Sequence, residues 1–228
     1  FKSDIYKFSV YNTTEVSSNI DGENYRVSKV FDDKNKSADM MALLTDRVYD
    51  LLKILKRKYI GDLSGNNESY TIYPNDNARL KFIKMLLQNY RLNKVTEISP
   101  NNTEGDTSYV INKGEKFVVC LRDKKTHKIH NYDDLMFVVL HELTHMGTPD
   151  YYKDYTIMSE SGVPYIVDYD KETDHTHGEL FWILFKFLLS EAYNSNILKK
   201  INYHDNPISY CGLFVDYNPY FDTTLFDI

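Results

Sequence analysis

Two histidines four residues apart, His141 and His145, flank Glu142 in the run Val138-Val139-Leu140-His141-Glu142-Leu143-Thr144-His145. On a helix, side chains at i and i+4 lie one turn apart on the same face. Both imidazoles can therefore reach one divalent cation, with Zn–N distances of about 2.0–2.1 Å. Glu142 sits beside the pair without being a ligand, placed to exchange a proton with water at the ion. This is the mechanical content of a His-Glu-x-x-His sequence, and the chemistry it suits is metal-assisted hydrolysis.

The flanking residues predict the helix that such a pair requires. Asn131 or Asp133 can cap its start, and Gly147 followed by Pro149 marks its end. Met136, Val139, Leu140 and Leu143 form an apolar stripe at helical spacing, opposite the histidines.

Two histidines are an incomplete site, because catalytic zinc usually has three protein ligands and an open position. A third His six residues beyond His145, with Gly midway, is one familiar arrangement; Tyr151 and Thr148 occupy those positions here. A Glu from a later helix is a second option, with Glu160, Glu172 and Glu179 available. A later His is the third, offered by His175 or His177. His177 is the better candidate. It is expected to open a helix in His177-Gly178-Glu179-Leu180-Phe181-Trp182, where the aromatic pair one turn on can anchor the helix while the imidazole faces the metal.

The pattern of a His-Glu-x-x-His helix, a variable loop, and His-x-x-x-Phe-Trp on a following helix resembles the WLM-type and SprT-like zinc metallopeptidases. Lys113-Gly114-Glu115 followed by Val119-Cys120-Leu121-Arg122 resembles the strand those proteins place before the site helix. Phe185-Lys186-Phe187-Leu188-Leu189 and Tyr210-Cys211-Gly212 are similar to members from large DNA viruses. The resemblance covers roughly residues 108–220. It implies an α+β, zincin-like fold of the compact gluzincin-like kind, with a small mixed sheet and the third ligand on the helix after the site helix. It further implies Zn²⁺ held by His141, His145 and His177, Glu142 as catalytic base, and peptide or protein substrates cut by a metalloendopeptidase. The viral likeness points to virion association and to an intracellular or virion-packaged protein rather than a secreted one. The rival reading is a zinc-binding structural or interaction protein that no longer turns over, although a purely structural site has no use for Glu142.

Bulk properties set the outer bounds. With 228 residues, 42% hydrophobic and 26% charged, the chain has the composition of an ordinary globular protein able to bury a core. A net charge of −6 disfavours a nucleic-acid partner, including protein crosslinked to DNA as substrate. The longest apolar run, Leu180–Leu189, is too short to span a bilayer and carries Lys186. Cys120 and Cys211 are too few for a disulfide framework; they could pair with each other, but buried free thiols are the expected state. The chain starts at Phe1, so a signal or anchor upstream of it stays open.

Along the chain, residues 1–36 read as an extended arm or one or two strands, ahead of a single metallopeptidase domain over 37–228. Ser37 is expected to cap a helix to about Tyr59, with Met41, Leu44, Val48, Leu51, Leu52 and Leu55 on its buried face. Pro74-Asn75-Asp76 opens a second helix to about Tyr90, and Lys94–Ser99 alternates like a strand. Tyr109–Ile111, a turn at Asn112–Glu115, and Lys116–Arg122 read as a hairpin. An edge strand near the site, with Lys116–Leu121 the candidate, would hold substrate backbone by strand addition. Gly147–Asp174 is expected to be a long Tyr-rich loop, and 201–228 an irregular tail. His127, His130 and His204 read as surface or core residues; His204, Tyr165, Tyr203 and Tyr210 are the candidates for stabilising an oxyanion.

Overall fold

The computed structural model describes residues 12–61, 77–90, 95–98, 107–152, 155–159, 161–168 and 176–228. These residues form an α+β structure with four α-helices and a small mixed sheet. Strands β1 (Thr13–Ser17) and β2 (Asn24–Ser28) form an antiparallel hairpin. Helix α1 (Lys34–Leu55) follows and runs into a π-helical turn at Lys56–Ile60. Next come α2 (Asn77–Asn89), β3 (Val95–Ile98), β4 (Tyr109–Ile111) and β5 (Lys116–Cys120). Helix α3 (Tyr132–Gly147), the hairpin β6 (Tyr155–Met158) and β7 (Pro164–Val167), and α4 (Glu179–Asn194) complete the middle of the chain. A last hairpin, β8 (Ile208–Tyr210) and β9 (Leu213–Val215), precedes a 3₁₀ turn at Pro219–Phe221.

The sheet order is β1-β2-β3-β5-β4, with β2/β3 and β3/β5 parallel and both outer pairs antiparallel. Every residue of β5 is buried, which is why Phe117–Leu121 reads as an unbroken apolar run. The expectation that Lys116–Leu121 is an edge is therefore wrong: β5 is paired on both sides, and β4 is the outer strand.

The buried face of α1 is the expected one, but the helix begins earlier than Ser37. Asp33 occupies the cap position without a side-chain cap bond. Ser37 is taken up instead by a buried polar cluster: its hydroxyl donates to Glu97 Oε1 at 3.3 Å and accepts from Arg122 Nη2 at 2.8 Å. Arg122 Nε also donates to Glu97 at 3.2 Å, and Arg122 Nη2 donates to Asp33 at 2.7 Å. Burial pushes the Glu97 carboxyl above its usual range, against the lowering effect of the Ser28 amide, Arg122 and Ser37. Through these bonds α1, β3 and the segment leading to α3 are fixed to one another.

Two regions expected to be irregular contain hairpins. Within Gly147–Asp174, β6 pairs with β7; alternation over four residues on each side is too short to stand out in a Tyr-rich sequence. In the tail, Cys211 (φ 49°) and Gly212 (φ 92°) form the two-residue turn between β8 and β9, since two successive positive φ angles suit a tight hairpin. That turn brings Cys211 to the end of β5, where it is disulfide-bonded to Cys120 with Cα atoms 6.3 Å apart. The free-thiol expectation is overturned; a 91-residue separation hides the proximity that the sheet creates. No helix among the described residues is long and apolar enough to cross a membrane.

Candidate metal centre

Helix α3 forms where its signals predict. Asn131 is the cap residue, its side chain accepting from the Asp134 amide at 3.0 Å. Asp133 and Asp134 occupy the first turn, where acidic groups favour the positive end of the helix. Leu135, Met136, Val139, Leu140 and Leu143 are buried, and the helix packs against α2 and α4. Gly147 ends the helix as expected and serves a second purpose as well. It is the last helical residue, and a Cβ there would lie 2.4 Å from the ring of Phe82 on α2. The glycine permits close helix packing, while Thr148 takes the capping position.

The end of α3 is also held from the β4–β5 turn, an anchor the sequence reading missed. The Lys113 amine donates to the His145 carbonyl at 2.9 Å and to that of Thr148, and pairs with Asp150 at 2.9 Å. Asn112, Lys113 and Gly114 all have positive φ, so the turn points Lys113 back at the helix. Asn-Lys-Gly between two strands was the available signal.

His177 lies just outside α4 rather than opening it, since Gly178 is the cap residue. Its imidazole nonetheless meets the other two. The three Nε2 atoms form a nearly equilateral triangle: His141–His145 3.2 Å, His145–His177 3.2 Å and His141–His177 3.1 Å. Tetrahedral coordination with N at about 2.0–2.1 Å from zinc calls for N···N separations of about 3.3 Å. Three ring nitrogens facing one point cannot all be satisfied by one another, because an imidazole nitrogen offers either a proton or a lone pair. A cation accepting three lone pairs resolves that, so the residues fit a zinc ion. Burial first, then His145 and His177, bring His141 down to about 3, which keeps its ring neutral, as a ligand must be.

Phe181 lies under the whole triad. Its ring centroid is 4.9 Å from His141, 4.4 Å from His145 and 4.9 Å from His177. Trp182 stacks on His177 at 5.7 Å. The aromatic pair expected to anchor α4 thus also fixes the planes of the imidazoles.

Glu142 is 6% exposed, and no described residue donates a hydrogen bond to it. Burial raises its carboxyl to about 8. It opens, with His141, onto a cleft of about 240 Å³ bounded by α3, α4 and the β8–β9 hairpin.

Other sequence candidates fall elsewhere. Glu179 is exposed and accepts from the Tyr165 hydroxyl, so both are committed to each other. Tyr203 donates to Asp134 at 3.0 Å, and Tyr210 donates to the Cys120 carbonyl at 2.6 Å. Their hydroxyls are engaged in the core, not offered to an oxyanion. His127 and His204 are exposed, and His130 stacks on Tyr210 at 4.9 Å. Glu160, Glu172 and His175 lie outside the described residues. Among the described residues, His141, His145 and His177 are the one group of three potential ligands that converge.

Residues 68–155 match the WLM domain, a stretch that contains the His141–His145 helix and ends before His177. An uncharacterized protein of Acanthamoeba polyphaga mimivirus is 30% identical over 202 residues, covering 88% of this chain and 81% of that protein. No solved structure matches the chain. A WLM match is consistent with a zinc metallopeptidase. With a relative this similar over most of both chains, and the His-Glu-x-x-His helix inside the matched stretch, the chain belongs to the WLM family.

Proposed function

We propose that this protein is a zincin-like metalloendopeptidase, with one zinc ion held by His141, His145 and His177 and Glu142 as the catalytic base. The observation that carries this reading is the buried Glu142 carboxyl, with no hydrogen-bond donor among the described residues, lining the same cleft as His141, one of the three histidines whose Nε2 atoms converge. A zinc ion so held polarises a carbonyl as a Lewis acid and lowers the pKa of water toward about 7. A dication beside Glu142 would favour its ionised form against the effect of burial; Glu142 would then accept the proton from the attacking water and deliver it to the leaving amine nitrogen. His141, His145 and His177 keep the donor geometry fixed because Phe181 packs beneath all three. The outer strand β4 lies beside α3 and is the edge along which an extended substrate can add by backbone hydrogen bonds.

A buried carboxyl whose pKa is raised by burial and which lines a cleft beside three converging histidines favours an active enzyme over a silent zinc protein, because catalytic acids and bases are found in such settings. A virion-packaged location suits the Cys120–Cys211 bond better than a reduced cytosol. The test is Glu142→Gln, assayed on denatured proteins and peptide libraries with and without chelator. The variant is expected to keep its zinc and lose cleavage by about 10²–10⁴-fold. Cleavage at the wild-type rate would refute the assignment of Glu142.

A further inference from the structure

We propose that the cleft beside Glu142 receives one large apolar side chain of the substrate, aromatic by preference, so that cleavage falls next to such a residue. This rests on the peptidase reading and adds to it a substrate class. The cleft holds about 240 Å³, less than the 300–1,000 Å³ of pockets that enclose a whole small molecule. It is sized for a side chain. Because Glu142 and His141 form part of its wall, a side chain seated there belongs to a residue flanking the bond under attack.

The wall chemistry selects the occupant. Phe137 and Phe185 are buried and in ring contact at 5.2 Å, and Trp182 and Tyr217 meet edge to face at 5.1 Å. Such faces and edges accommodate an incoming ring in offset or T-shaped geometry. Among the described residues no Lys or Arg lines the cleft, so an acidic side chain would find no counter-charge there. Asp216 is the other ionisable carboxyl among the described lining residues, and it is exposed at the β9 end. The β8–β9 hairpin adds Leu213 and Phe214, which also line the cleft while remaining 53% and 67% exposed. An apolar rim of this kind, joined to a buried carboxylate, fits a site that a peptide covers on binding.

Trp182 is the chain's single tryptophan and stands in the cleft wall, so its fluorescence reports occupancy directly. Zinc-loaded Glu142→Gln protein is titrated with peptides identical except for Phe, Leu, Ala, Lys or Glu at one central position. The Phe peptide is expected to shift Trp182 emission and bind about tenfold or more tighter than the Ala, Lys or Glu peptides, with Leu between. Val138→Phe, which narrows the cleft from a half-buried position on α3, is expected to reduce that preference while zinc content is retained. Equal affinities across the series, or tightest binding of the Lys peptide, would overturn the proposal. Wild-type protein is assayed on the same peptides with product analysis. Absence of cleavage with the binding preference intact would sink the hydrolase reading alone; cleavage without preference for the Phe peptide would sink this inference alone.

Discussion

The ammonium group of Lys113 donates a 2.9 Å hydrogen bond to the carbonyl of His145, so the β4–β5 turn grips the last turn of the helix carrying two of the three converging imidazoles. Helix ends leave carbonyls without intrahelical partners, and a cation there opposes the negative end of the dipole. Lys113→Met is expected to cost about 1–2 kcal/mol of stability and to weaken zinc affinity about tenfold through loss of ring positioning. Competition with a chromophoric chelator measures the second effect. Unchanged affinity would show that the turn only supports the fold.

The buried pair of Arg122 and Glu97 gives a stability prediction of a different kind. Glu97 has no exposed side-chain surface, and Arg122 has 2%. Removing one partner leaves an uncompensated buried charge, which typically costs about 3–5 kcal/mol. Arg122→Met should therefore lower urea-unfolding stability by that amount. The double change Arg122→Met with Glu97→Gln should recover part of it. A double variant as unstable as the two single losses summed would contradict the pairing.

How much of this was legible beforehand follows from the range of each signal. The α3 helix, its Asn131 cap and the three histidines rest on local spacing and on one short aromatic motif, and these were readable. The edge position of β4 was not, because strand order depends on which distant segments pair. The same holds for the Cys120–Cys211 bond and the cleft wall at 213–217, which depend on a hairpin returning 91 residues later. The sequence marks Gly147 as the helix end, which it is, but its contact with Phe82 is tertiary and has no local signature. Lys113 looked like a turn residue because nothing local shows that the turn faces a helix end.

Loss of the disulfide should act on stability and on the cleft while sparing the metal. Replacing Cys120 and Cys211 by Ala opens a 91-residue loop, for which chain entropy gives about 3–5 kcal/mol. The histidines lie on α3 and just ahead of α4, outside the tethered hairpin, so zinc stoichiometry should hold. Limited proteolysis should cut within 208–217 faster than in the wild type. Equal stability and equal protection would mean the bond contributes nothing to the native state.

His130 should make the fold sensitive to mild acid. Its pKa is lowered from 6.5, chiefly by burial, with Asp123, Asp134 and a backbone bond pulling the other way. Its Nε2 faces the Cys211 amide at 3.4 Å, which suits the neutral ring. The unfolded chain therefore binds this proton more readily than the folded one, so stability is full above about pH 6.5 and falls as pH drops below it. His130→Phe keeps a ring against Tyr210 and removes the titration. Urea unfolding at pH 7 and pH 5 should show a larger loss for the wild type than for the variant; parallel losses would remove His130 from the acid response.

Elemental analysis of the purified chain beside His177→Ala tests the central claim most directly. The three-nitrogen geometry predicts about one zinc per wild-type chain, and a variant that loses most of its zinc on dialysis against a weak chelator while remaining folded. A wild-type chain that binds no zinc, or a variant that holds it as tightly, would contradict the convergence of His141, His145 and His177 on one ion.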